Sequence, residues 1–150
     1  MCSSDLPSRM PSSSSGSSVL VVDASVLVTA LADDGPDGDN ARSRLRGETL
    51  AVPELADLEV LSVLRRQLAA GRLDARRARL ALTDLRDLPA RRVPHLPLLD
   101  GVWSLRANLT VYDAVYVALA DALEAVLLTG DGRLARASGL PCTVELLVAG

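Results

Sequence analysis

The chain has 150 residues, 49% of them hydrophobic, and a net charge of −3, which is long and apolar enough for one domain with a real core and by itself argues neither for nor against a nucleic-acid partner. All 16 basic residues are arginine, so sites built on a lysine, such as a P-loop or a receiver-type phosphorylation centre, are excluded. Cys2 and Cys142 stand at opposite ends and His95 is the single histidine, which leaves no zinc spacing or disulfide framework and suits a reducing cytoplasm; no apolar run reaches membrane-spanning length.

Met1 to Ser18 is rich in Ser, Pro and Gly and lacks the apolar stretch of a secretory signal. It is expected to be a disordered tail before a single domain over 19–150, with Met10 or Val19 as alternative starts that N-terminal sequencing of the native protein would distinguish. Val19 to Val22 is an unalternating apolar run, the pattern of a strand buried on both faces of a parallel sheet. Ser25 to Ala32 reads as a short helix and Asp33 to Gly38 as a loop. Asp39 then caps a helix over Asn40 to Arg46, which Gly47 stops. Thr49 to Val52 is a second strand. Pro53 opens a helix over Glu54 to Ala70, with Leu58, Val60, Leu61, Val63, Leu64 and Leu68 as its apolar face and Gly71 as its cap.

A further helix, Asp74 to Asp87, turns Leu80, Leu82 and Leu85 inward and Arg72, Arg76, Arg77 and Arg79 mostly outward. Arg92 to Val93 is expected as a short strand and Leu99 to Arg106 as a helix. Thr110 caps a helix over Tyr112 to Leu123, followed by a strand over Val126 to Leu128, a short helix over Arg133 to Ala137 and a last strand over Thr143 to Leu147. Alternating helices and strands without internal repeats predict an α/β fold with helices on both faces of a parallel sheet.

Several acids stand where such a fold forms ligand crevices, outside the carboxyl ends of the strands. Asp23 ends the first strand and either caps the next helix or belongs to a site. Asp131 repeats that situation after the strand ending at Leu128, with a cap for the helix at Arg133 as its other reading. Asp113 sits in a first helical turn, with an answer to the helix dipole as its other reading. Glu59 lies beside the apolar face of a long helix, where an acid is costly unless it pairs, with Arg65 or Arg66, or binds a cation. Two unit charges about 4 Å apart interact by roughly 4 kcal/mol at an effective dielectric of 20, so carboxylates gathered in one crevice call for a cation or for protons. An all-oxygen cluster suits Mg²⁺ or Mn²⁺, and Mg²⁺ completes its shell with water and phosphate oxygens, which suggests phosphodiester chemistry.

The segments Val21-Val22-Asp23-Ala24-Ser25, Val52-Pro53-Glu54-Leu55 through Glu59-Val60 to Leu64-Arg65-Arg66, Thr110-Val111-Tyr112-Asp113-Ala114 through Ala120, and Leu127-Leu128-Thr129-Gly130-Asp131 occur in one order along Val19 to Leu147. In these the chain resembles the PIN-domain ribonucleases, most closely the VapC-type toxins of bacterial toxin–antitoxin pairs. The resemblance implies a three-layer α/β/α fold with a central, mainly parallel sheet, and an endoribonuclease. It implies that Asp23, Glu59, Asp113 and Asp131 hold Mg²⁺ or Mn²⁺: Asp23 and Asp113 as ligands, Glu59 and Asp131 directly, through water or by orienting the others. Ser25 and Thr129 become hydroxyls that support those ligands, and Arg106 and Asn108 candidate contacts to substrate phosphate. It further implies a homodimer and an antitoxin whose C-terminal segment covers the site. The serine-rich extension is unusual for the family, and Gly130 stands where a bulkier residue is common.

RNA binding requires positive potential, and Arg65, Arg66, Arg72, Arg76, Arg77 and Arg79 cluster on two consecutive helices, as an RNA face, an antitoxin face or a solvated surface. Tyr112 and Tyr116, one helical turn apart, read as packing residues. The alternatives are another metal-dependent phosphoesterase, or a PIN-like module that binds RNA or an antitoxin without cutting.

Overall fold

The computed structural model describes residues 18–148. Apart from Ser18, the expected Ser-rich tail lies outside the described residues. Five parallel strands, β1 (Val19–Val22), β2 (Thr49–Pro53), β3 (Ala90–Val93), β4 (Val126–Thr129) and β5 (Val144–Leu146), form one sheet in the order β3-β2-β1-β4-β5. β1 is therefore central. It pairs on one side with β2, Leu20 opposite Leu50, and on the other with β4, Val22 opposite Leu128. Chain order reverses between β1 and β4, and a crevice opens at the carboxyl ends of strands where connections diverge in this way. Leu20, Val21, Val22, Leu127 and Leu128 are all buried, as a strand covered on both faces requires.

Helices cover the sheet. α1 (Ala24–Ala32) packs with α2 (Pro36–Leu45), α3 (Leu55–Ala69) and α4 (Ala75–Asp87), whereas α6 (Val111–Leu123) packs with α5 (Leu99–Ser104) and lies along β1, β2 and β4. A short α7 (Gly132–Ala135) follows β4. The architecture is the expected α/β/α sandwich, its sheet parallel throughout. α6 is its most deeply buried helix: Ala114 to Ala120 are all buried. Among the described residues no helix is long and apolar enough to cross a membrane.

Four details depart from the sequence expectations. α2 starts at Pro36, not Asn40, because proline at a first helical position needs no N–H partner and Gly38 lets the Asp33 backbone pack where a Cβ would stand. The buried stripe of α3 is Ala56, Val60 and Leu64, so Leu58, Leu61 and Leu68 face outward: neighbours α1 and α4 cover only one narrow i, i+4 row. α4 likewise buries Ala81 and Leu85 and exposes Leu80. Arg77 is not a free surface cation, since its guanidinium grips Asp34 at 3.0 Å and the Leu31 carbonyl at 2.8 Å, tying α4 to the end of α1. In urea unfolding, Leu64→Ala should cost about 2–5 kcal/mol at an unchanged m-value, whereas Leu58→Ser should stay within about 0.5 kcal/mol of wild type.

Candidate active site

The site is built around Asp23. The β1–β4 ladder continues one step beyond the strands, with Asp23 N–H donating to the Leu128 carbonyl at 2.9 Å. Asp23 occupies the N-cap position of α1 in extended backbone, but its side chain caps nothing. Its Oδ2 instead accepts from Ser25 Oγ at 2.9 Å and Thr129 Oγ1 at 2.7 Å. Each hydroxyl has one proton to donate. Having donated it to Asp23, each oxygen accepts a backbone N–H: Gly130 to Ser25 Oγ and Asp131 to Thr129 Oγ1, both at 3.0 Å. A Cβ on residue 130 would stand 3.3 Å from Ser25 Oγ, a tight approach that a shift of a few tenths of an ångström would relieve. Thr129 is fully buried, and its position at the end of β4 fixes the network to the sheet.

Asp113 enters on the first turn of α6. Thr110, the N-cap, accepts the Asp113 N–H at 3.1 Å as its sequence position predicts. Burial first, then the charges of Asp23 and Asp131, raise the Asp113 carboxyl above its usual 3.8; the Arg133 charge and the Thr110 hydroxyl oppose this. Glu59 projects from α3, and its Oε1 accepts the Tyr116 hydroxyl at 2.6 Å. Burial raises Glu59 above its usual 4.5, the Tyr116 bond opposes it, and the charges of Asp23 and Asp113 add to it. Arg65 and Arg66 do not answer Glu59; Arg66 bonds Ser62 at 3.1 Å.

Asp131 does cap α7. Its Oδ1 accepts Arg133 N–H at 2.9 Å, and its Oδ2 pairs with Arg133 Nη2 at 3.1 Å. The cap and the site are compatible here, because the same carboxylate also acts on Asp113. Arg106 turns away: its guanidinium lies 4.5 Å from the Trp103 ring centre and donates to the Trp103 carbonyl at 2.9 Å. Asn108 is exposed, and among the described residues neither it nor Arg106 hydrogen-bonds one of the four acids.

The structure thus brings Asp23, Glu59, Asp113, Asp131, Ser25 and Thr129 into one electrostatically connected group. Among the described residues Asp23, Glu59 and Asp113 form no ion pair, and no three His, Cys, Asp or Glu side chains close round one point tightly enough to hold an ion unaided. Mg²⁺ binds through one or two carboxylates and keeps several waters, so Asp23 and Asp113 are the side chains that could hold it here.

Tyr116 reaches the acidic group in a way that periodicity hid, through its hydroxyl on Glu59. It is almost fully buried, whereas Tyr112, one turn earlier on the same helix, is 61% exposed. The available signal was chemical: a phenol amid an apolar helix needs a buried acceptor. Burial and the Glu59 charge push its own ionisation up, so it stays a donor.

Residues 20–140 match the PIN domain family. Ribonuclease VapC1 of Mycobacterium tuberculosis is 46% identical over 128 residues, covering 85% of this chain and 96% of the relative. Ribonuclease VapC9 of the same species is 42% identical over 129 residues, covering 86% and 98%. The crystal structure of PAE2754 from Pyrobaculum aerophilum superposes with a TM-score of 0.64 at 25% identity, over 87% of this chain and 88% of that one. VapBC2 from Rickettsia felis, solved with a promoter DNA fragment, gives 0.60 at 14% identity, over 87% and 99%. The chain belongs to the PIN-domain family, and within it to the VapC ribonucleases.

Two outcomes follow from the electrostatics. With folded-state values raised for Asp113 and Glu59, their stabilising contribution is complete below the ordinary 3.8 and 4.5 and is lost as pH rises through the raised values. In chelator, Asp113→Asn should therefore melt higher than wild type at neutral pH, by about 2–4 °C per kcal/mol of repulsion relieved, and the difference should vanish in acid. Tyr116→Phe removes a donor to the Glu59 carboxylate, so carbon-detected NMR titration should find the Glu59 midpoint moved upward.

Proposed function

We propose that this protein is an endoribonuclease that hydrolyses RNA phosphodiester bonds with a divalent ion, Mg²⁺ or Mn²⁺, and acts in the cytoplasm as the toxin of a toxin–antitoxin pair. The observation that carries the reading is Asp23, whose Oδ2 takes two hydroxyl donors while the carboxylate makes no ion pair among the described residues. A carboxylate oriented by neutral donors beside a second half-buried acid is a site prepared for a cation. Family membership and the names of the VapC ribonucleases support RNA as the substrate.

In this reading Asp23 and Asp113 hold the ion, and Glu59 and Asp131 hold it through water or orient the other two. When bound, the ion supplies neutralising charge and promotes deprotonation of a water that attacks the phosphate. Ser25 and Thr129 keep Asp23 in one rotamer. Tyr116 aims Glu59 and opposes the rise that burial causes in its carboxyl. Arg106 and Asn108 remain contacts to RNA beyond the acids. Leu58, Leu96, Leu99 and Trp103 are exposed, which supports a protein that works covered, as a homodimer and by its antitoxin.

Purified protein incubated with total cellular RNA and Mg²⁺ or Mn²⁺ should cut it. Cleavage should stop in chelator and fall at least about a hundredfold in folded Asp23→Ala and Asp113→Asn. Folded, metal-supplied protein that leaves this RNA intact would favour an RNA- or antitoxin-binding module. Cutting that survives both substitutions would remove the site assignment.

A further inference from the structure

An RNA strand entering this crevice brings phosphates toward four carboxylates. Among the described residues, Arg133 is the cation whose charge reaches Asp113. Among the described residues its guanidinium is held by one contact, Nη2 to Asp131 Oδ2 at 3.1 Å, and the side chain is 80% exposed. The helix cap is a separate bond, from the Arg133 backbone to Oδ1 at 2.9 Å. The side chain can therefore leave Asp131 without uncapping α7. An ion pair with its guanidinium this exposed is weak, whereas a guanidinium on a phosphate makes paired, charge-assisted hydrogen bonds. Arg133 has five N–H donors and uses one on the carboxylate. A second guanidinium, that of Arg136, folds back over the same turn; its Nη1 lies 2.7 Å from where a Cβ on Gly132 would stand.

We infer that Arg133 is a phosphate-binding residue of the RNA site, its guanidinium exchanging Asp131 Oδ2 for a phosphate of the bound strand. This rests on the ribonuclease reading. In the exchange Asp131 loses its neutralising partner as the strand enters, so the same movement delivers a cation to the phosphate and a bare carboxylate to the acidic group. The guanidinium is set beside the reacting region by Asp131, at the end of β4. Among the described residues the arginines of α3 and α4 make no hydrogen bond or ion pair with the four acids.

The test is the salt dependence of binding. A short mixed-sequence single-stranded RNA is titrated against protein in the uncut Asp113→Asn background, with and without Arg133→Gln, at several salt concentrations. Each phosphate contact to a single strand contributes about 0.7 to the slope of log K against log salt. Arg133→Gln should flatten that slope by about 0.7 and weaken binding about five- to tenfold at low salt. In the otherwise wild-type protein it should raise KM more than it lowers kcat, with Mn²⁺ affinity within about twofold and an unchanged melting temperature, since the backbone cap persists. Arg133→Lys should restore the slope and only part of the affinity. Wild type that cuts RNA while Arg133→Gln matches it in slope and KM would overturn the role of Arg133 alone. An unchanged slope with altered Mn²⁺ affinity would also overturn it, leaving the arginine as a partner of Asp131. Wild type that neither binds nor cuts RNA would overturn the ribonuclease reading and Arg133 with it.

Discussion

Two hydroxyls, two backbone amides and one carboxylate oxygen hold the active end of this molecule together. Ser25 and Thr129 each donate to Asp23 Oδ2 and each accept an amide from the turn after β4. The proton directions are forced: a carboxylate only accepts, so each hydroxyl must donate to it and keep a lone pair for the amide. The arrangement joins the central strand, the first helix and the fourth strand through neutral groups. It orients Asp23 without cancelling its charge, which an arginine in place of either hydroxyl would do.

The remaining acids are disposed about that fixed point in different ways. Asp113 rides the capped start of a buried helix, and Glu59 is steadied by a phenol rooted in that same helix. Asp131 is compensated by Arg133, whereas Asp23, Glu59 and Asp113 make no ion pair among the described residues. The fold thus leaves concentrated negative charge at the crevice and raises the proton affinity of two carboxyls. On the proposed reading, protein stability at neutral pH is partly given up for readiness to take a cation.

Much of this was legible in the residues. Val19 to Val22 reads as a doubly covered strand because it does not alternate, and an acid that follows such a run directly marks the crevice. Thr110 read as a cap and is one. Legibility failed where a residue's meaning depends on which neighbour arrives. Leu58, Leu61 and Leu68 are indistinguishable by period from Val60 and Leu64 until α1 and α4 choose a side. Pro36 to Asp39 has the composition of a loop, yet proline and glycine there serve a tightly packed helix start. Tyr112 and Tyr116 share a face by period, yet one ring is exposed and the other is a buried donor to Glu59. Ser25 and Thr129 were legible as hydroxyls near the site; the two amides behind them were not.

The strand order has a consequence for the life of the chain on the ribosome. Asp23 emerges early, but the hydroxyl that fixes it from the other side belongs to Thr129, 106 positions later, and the strand carrying it must be inserted beside the first one. Until β4 has left the exit tunnel and docked, Asp23 lacks one of its two donors and Asp131 has not arrived. An unfinished or broken-off chain therefore presents no assembled centre.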